Sequence, residues 1–334
     1  MTVREKIQNQ QQMFLSKYAT KCTDDVKRKI YEEPCPLRTA FQRDRDKIIH
    51  SEAFRRLKQK TQVFLSPESD FYRTRLTHTL EVSQIARTIA RGLFLNEDLT
   101  EAISLGHDVG HTPFGHAGER ALNALNPEGF YHNLQSVRVF TKLEKDLKGL
   151  NLTELVLDGI ENHVNKSKEP KTLEGFVVRV SDRIAYLNHD IEDAIKAKIL
   201  EQSDIPLNVV NVLGKTKSER ITTLITDVVV NSEETICMSD EVKKAYMELY
   251  DFMFAKVYLN IKAKKEEGKV KKLISELYNH FLQYPEKMPI NYQFIAKQEG
   301  IHRAITDYIS GMSDEYAIKR FDDLFVPKKW IVSK

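Results

Sequence analysis

Leu99-Thr-Glu-Ala102-Ile103-Ser-Leu105-Gly-His107-Asp108-Val-Gly110-His111-Thr-Pro113-Phe-Gly115-His116-Ala-Gly118-Glu119 is the stretch on which the reading of this chain turns. Its first part carries Leu99, Ala102, Ile103 and Leu105 at helical spacing and runs directly into His107-Asp108. Three histidines and two carboxylates then fall within thirteen residues, punctuated by Gly110, Pro113, Gly115 and Gly118. Packing alone does not call for so many titratable groups in so short a run. The pattern points to hydrolysis.

Outward from that stretch, helical periodicity dominates. Leu80, Val82, Ile85, Ala86, Ile89, Ala90 and Leu93 predict a helix over 77–95, and Asn96 opens the next. Further helices are expected over 151–163, 174–199, 217–230, 239–263, 269–283 and 290–310, with a charge-rich turn at Lys262–Lys272. Thirteen glycines and ten prolines are few, and turn-rich strand patterns are scarce. The expected class is all-α: a polar N-terminal arm (1–50), a helical core (51–200), and C-terminal helices (201–334) packed on it as one globular unit.

A chain of 334 residues, 41% hydrophobic and 30% charged, can bury a sizeable core. The 51 basic and 48 acidic residues nearly cancel, so charge does not indicate a nucleic-acid or membrane surface. Cys22, Cys35 and Cys237 form no zinc or redox motif and fit reduced thiols in a cytoplasm. No signal peptide or membrane-length apolar run is present.

His78 lies near the start of one predicted helix, and His107 and Asp108 end another. Neighbouring helical residues point about 100° apart, so an ion placed between those directions can receive both. Asp182, from the long helix after Glu174, completes a His/His/Asp/Asp set. Such donors favour hard or borderline divalent ions: Mn²⁺ or Mg²⁺ foremost, with Fe²⁺, Co²⁺ and Zn²⁺ open. Pro113 ends the segment after Asp108, and His116 and Glu119, three apart, share a helical face. A carboxylate orients an imidazole and raises its pKa, which suits proton transfer near neutrality. His111, one turn beyond His107, and His132, in His132-Asn133-Leu-Gln135, are further candidates; His163 and His189 are not assigned to the site. There is no Gly-x-x-x-x-Gly-Lys-Ser/Thr string and no serine or cysteine in a nucleophile motif, so direct attack by water is the simpler scheme.

On these residues the sequence resembles the HD-domain superfamily, and within it the deoxynucleoside triphosphate triphosphohydrolases (dGTPase-like). The matching segments are Arg55–Phe64, Arg73–His78, 107–119, His132–Ser136, Asp182–Tyr186 with Asp190, and Asp307–Asp314. The resemblance implies an HD-domain helical fold with His78, His107, Asp108 and Asp182 as metal ligands. It also implies hydrolysis of a dNTP to deoxynucleoside and inorganic triphosphate, and it supports the His116–Glu119 pairing. Asp190 would accept the 3′-OH, and the Tyr186 ring would leave no room for a 2′-OH. A triphosphate calls for cations, and Arg75, Arg56, Lys60 and Arg183 are the candidates, while Gln59 would meet the base or sugar. A homo-oligomer (tetramer or hexamer) and activation by a second dNTP are implied as well. The competing readings are another HD phosphohydrolase, such as a nucleotidase or phosphodiesterase, and a nucleotide sensor without turnover.

Overall fold

Polar caps start the helices that carry the site. The Thr74 hydroxyl accepts the Thr77 N–H, the Asn96 side chain that of Leu99, and the Thr172 hydroxyl that of Gly175. The computed structural model describes residues 1–23, 26–62, 73–165, 167–259 and 266–328. Among these, no strand forms beyond two isolated bridges, Arg28–Thr153 and Thr61–Thr74. The longer helices are α1 (Val3–Phe14), α2 (Ala40–Ile49), α3 (Arg75–Gly92), α4 (Glu97–Gly106), α5 (Gly115–Leu125), α6 (His132–Arg138), α7 (Glu154–Glu161) and α8 (Leu173–Lys196). They continue as α9 (Leu207–Leu213), α10 (Lys217–Asn231), α11 (Asp240–Met253), α12 (Glu267–Gln283), α13 (Ile290–Glu299), α14 (Ile301–Ser310) and α15 (Asp314–Phe325). The fold is all-α.

Two apolar cores organise these helices. In the first, α3 packs on α4 and α8 and α2 on α4, with Ile85, Ile89, Leu99, Ile103, Ile184 and Leu187 fully or almost fully buried; α9, α10 and α11 join it through Leu213, Leu224 and Leu249. In the second, α5 and α14 pack on α12, joining Leu122 and Phe130 to Ile274, Leu277, Phe281, Ile305 and Ile309. Residues from 201 onward take part in both cores: they complete the first up to Val257 and join the second from Val270 onward.

Three sequence expectations change. Residues 40–49 are not arm, because Phe41 and Ile48 are fully buried, and each such side chain contributes roughly 1.5–3 kcal/mol. The expected helix over 290–310 is two helices broken at Gly300, whose φ of 94° and ψ of 156° leave the helical region. The charged Lys262–Lys272 segment is helical from Glu267 onward, while 260–265 lie outside the described residues. Val63 and Phe64 of the Arg55–Phe64 motif lie outside them too.

Candidate metal centre and its cavity

α4 ends at Gly106, but His107 keeps a right-handed helical backbone and its Nδ1 lies 2.6 Å from the Ser104 carbonyl. That contact places the proton on Nδ1 and leaves a lone pair on Nε2. Nε2 is buried and has no hydrogen-bond partner. From α3, His78 directs Nε2 to within 3.0 Å of Asp182 Oδ1 on α8, and His107 Nε2 lies 3.8 Å from the same oxygen. Asp108 Oδ1 is also 3.8 Å from His107 Nε2. The nitrogens of His78 and His107 and an oxygen of Asp108 lie within 4.8 Å of one another, as do donor atoms of His107, His163 and Asp182.

An orphaned imidazole nitrogen amid one further imidazole and two carboxylates fits a divalent cation. Burial opposes the charge on Asp108, but the Arg75 guanidinium, 2.6 Å away, and the nearby His111 and His107 hold its carboxyl well below the usual range. Asp182 is likewise lowered against its burial, chiefly through its hydrogen bond from His78.

Beyond Asp108 the chain turns sharply. Gly110 admits no side chain, since a Cβ there would lie 2.2 Å from Ser136 N; the close approach lets Ser136 Oγ accept from Gly110 N and donate to the His107 carbonyl. Gly115 has φ +56°, and its Cβ would press on Arg75 and the Gln62 carbonyl. That reversal starts α5 and brings His116 and Glu119 back towards His111 and His132. Glu119 divides its carboxylate: Oε2 lies 3.1 Å from His116 Nδ1, while Oε1 lies 2.8 Å from His132 Nδ1. On the other side of His132, Nε2 is 3.3 Å from His163 Nε2. His163 donates Nδ1–H to the Ile160 carbonyl at 2.7 Å, so its Nε2 can only accept. Both nitrogens of His132 therefore donate, as in an imidazolium. Burial alone would lower the pKa of His132, but Glu119 outweighs it and raises it. Glu119 is driven far down by the same pairing, against the upward push of its burial. Burial, with His107 and His132 nearby, holds His163 neutral with a pKa of about 3.

His116, His132 and His163 line a cavity of about 580 Å³ together with Arg75, His78, Asp108, His111, Asp182, Arg183, Tyr186, Asp190 and Tyr258. Asp182, Tyr186 and Asp190 do form the stripe on α8 that their spacing suggests. Arg183 reaches the Tyr246 hydroxyl and Asn165 at the same wall.

Three candidates fall elsewhere. Gln59 is exposed at the end of a short 3₁₀ turn, and Gln62, three residues on, lines the cavity with a buried, unpartnered Oε1. Arg56 faces a different cavity. Lys60 is buried beneath the wall, its ammonium donating to the His111 and Ser310 carbonyls; burial, with Arg56 and Arg75 adding to it, lowers its pKa to about 7. It props the wall instead of reaching into the cavity. Sequence reading also missed His163 and Tyr258. His163 follows α7, and no spacing links it to His107; only the packing of α7 on α6 and α4 does.

The different cavity, about 650 Å³, lies behind the metal set and has a mixed lining, with Arg38, Arg43, Arg55 and Arg56 among its cations and Asp46, Glu144 and Asp307 among its carboxylates. One backbone turn separates the two: Asp108 and His111 face the cavity at the candidate metal centre, Val109 and Gly110 the second. No helix among the described residues is long and apolar enough to cross a membrane.

Comparison with known proteins shows the family. Residues 75–187 match the HD domain, and residues 236–323 match the phosphohydrolase-associated domain. The chain is 52% identical over 332 residues to the deoxyguanosinetriphosphate triphosphohydrolase-like protein of Caldanaerobacter subterraneus subsp. tengcongensis, covering 99% of this chain and 98% of that one. It is 48% identical to the protein of the same description from Clostridium tetani, covering 98% and 97%. A phosphohydrolase crystal structure from Bacteroides thetaiotaomicron shares the fold at a TM-score of 0.52 and 16% identity, covering 84% of this chain and 69% of that one. Full-length similarity and the His/His-Asp/Asp centre lead to one assignment: the chain belongs to the deoxyguanosinetriphosphate triphosphohydrolase-like family of HD-domain phosphohydrolases.

Proposed function

We propose that this protein hydrolyses deoxynucleoside triphosphates by attack of water at the α-phosphate, releasing deoxynucleoside and inorganic triphosphate. The observation that carries the reading is that one cavity is lined at once by His78, Asp108 and Asp182 of the metal set, by the His116 and His132 rings that Glu119 joins from behind, and by the Tyr186–Asp190 stripe. A divalent ion held by His78, His107, Asp108 and Asp182, Mn²⁺ or Mg²⁺ foremost, would supply Lewis-acid neutralisation of phosphoryl charge. Arg75 and cationic His132 add positive charge where phosphate oxygens would lie, while His111, kept neutral by burial, donates Nε2–H to Asp108 Oδ1 at 3.1 Å and steadies that carboxylate. His116, steadied by Glu119, moves the proton at the mouth of the cavity. Tyr186 closes off the 2′ position and Asp190 accepts the 3′-OH.

Phosphorus NMR of the products from each dNTP, with Mn²⁺ or Mg²⁺ and with dNTP mixtures, tests this. Inorganic triphosphate is the expected product. Pyrophosphate with monophosphate would favour another HD phosphohydrolase chemistry, and absence of turnover would favour the sensing reading.

Activation by a second dNTP belongs to the same proposal; the second cavity is large enough for a nucleotide, and Arg55 and Arg56 on its wall form no ion pair among the described residues. A tetramer or hexamer of the chain in a cytoplasm is proposed with it. Arg55→Glu should raise the concentration of second dNTP needed for stimulation by about tenfold or more, the weight of one charge-assisted hydrogen bond. An unchanged activation curve would remove this cavity from the scheme.

A further inference from the structure

Tyr258 reaches the catalytic cavity because the helix carrying it is irregular. α11 ends at Met253 and passes into a single π turn, Phe254–Tyr258. On a regular α-helix, residues spaced by four drift about 40° per step, so Tyr250, Phe254 and Tyr258 would fan out over about 80°. A π turn closes i→i+5 and is wider, turning less per residue, which offsets the drift over the second step. The three rings accordingly form a ladder, with centroids 6.2 Å and 6.4 Å apart, and all three line the cavity.

The ladder ends in a specific contact. Tyr258 Oη donates to Asp190 Oδ2 at 2.5 Å, and no hydrogen bond among the described residues falls on Oδ1. Asp190 is 2% exposed. A buried carboxylate with one oxygen tied and the other open to a cavity is a fixed acceptor. Without the tyrosine hydroxyl it could rotate about its last torsion, which is broad for aspartate.

We infer that Tyr258 is a positioning residue: its hydroxyl holds the Asp190 carboxylate so that Oδ1 accepts the 3′-hydroxyl of the nucleotide, making selection for that hydroxyl a property of the Tyr258–Asp190 pair. The inference rests on the deoxynucleotide reading above and adds a residue from α11's π turn to the stripe on α8. A second effect acts in the same direction. Burial pushes the Asp190 carboxyl up to about 7, and the Tyr258 hydrogen bond opposes that rise. Loss of the hydroxyl would therefore favour the neutral acid, a poorer acceptor. Simple packing would use the ring of Tyr258 and be indifferent to its oxygen.

The test is equilibrium binding of dGTP and of 2′,3′-dideoxy-GTP by calorimetry, in a His116→Ala background with Mn²⁺ so that hydrolysis does not intrude. The background protein should bind dGTP about tenfold more tightly than the dideoxy ligand, the weight of one hydrogen bond to a carboxylate. Adding Tyr258→Phe should weaken dGTP by about that factor and leave the dideoxy ligand within about twofold. Asp190→Asn should do the same, and the Tyr258→Phe/Asp190→Asn pair should lose no more than either alone. Equal weakening of both ligands by Tyr258→Phe would reduce the tyrosine to packing and overturn the inference; so would a background that binds both ligands alike. Triphosphate release by the unsubstituted protein is measured separately. Turnover with parallel losses would keep the reaction and refute the pair, and 3′-selective binding without turnover would keep the pair and refute the reaction.

Discussion

His107→Ala should abolish metal binding and turnover together while leaving the metal-free protein folded. His107 Nε2 has no hydrogen-bond partner, so its removal strands no buried group; the lost Nδ1–Ser104 hydrogen bond is worth about 1 kcal/mol. Asp108→Ala should differ. It also removes a ligand, but it leaves Arg75, 1% exposed, without its carboxylate, and breaking such a buried pair costs roughly 3–5 kcal/mol. Metal analysis beside thermal melting of the chelated proteins separates the two. His107→Ala should lose the metal and keep nearly the same midpoint, whereas Asp108→Ala should lose both metal and stability. An active, metal-loaded His107→Ala protein would remove this centre from the chemistry.

The next largest effect is expected at the relay. The His116 side chain is 66% exposed and bonds Glu119, so His116→Ala should retain fold, metal and substrate affinity while kcat falls by roughly 10²–10⁴. Near-normal kcat would eliminate its role in proton transfer. Glu119→Gln should act on pH as well as rate. The carboxylate raises the folded pKa of His132, so the His132 cation persists to higher pH while Glu119 is present. Without that charge the pKa falls, and activity that needs the cation is lost at lower pH. The alkaline limb of kcat/KM should move down in pH; a limb that stays put would mean that His132 does not act as a cation.

Much of this arrangement was legible in the sequence, for a physical reason. Helix periodicity is local, so the helices expected over 77–95, after Asn96 and over 174–199 start within a few residues of Arg75, Glu97 and Leu173. The donors His107 and Asp108, and the helical turn joining His116 to Glu119, are set by neighbours in the chain. Legibility failed where a side chain's direction depends on a break. One 3₁₀ turn decides between Gln59 and Gln62, Gly300 splits a helix whose apolar pattern looks continuous, and a π turn brings Tyr258 to Asp190. It failed again where packing joins distant segments. His163 meets His132 across 31 residues, and the ammonium of Lys60 meets the Ser310 carbonyl across 250. Composition and spacing carry no record of those meetings.

The single turn of backbone between the two cavities has a thermodynamic consequence. Asp108 and His111 look one way and Val109 and Gly110 the other, with Ser136 holding Gly110 from behind. Filling either space would act on the same few peptide units, so the two occupancies would share one free-energy surface. Linkage then demands symmetry: whatever factor an occupant of the second cavity imposes on affinity at the metal centre, an occupant of the metal centre must impose in return.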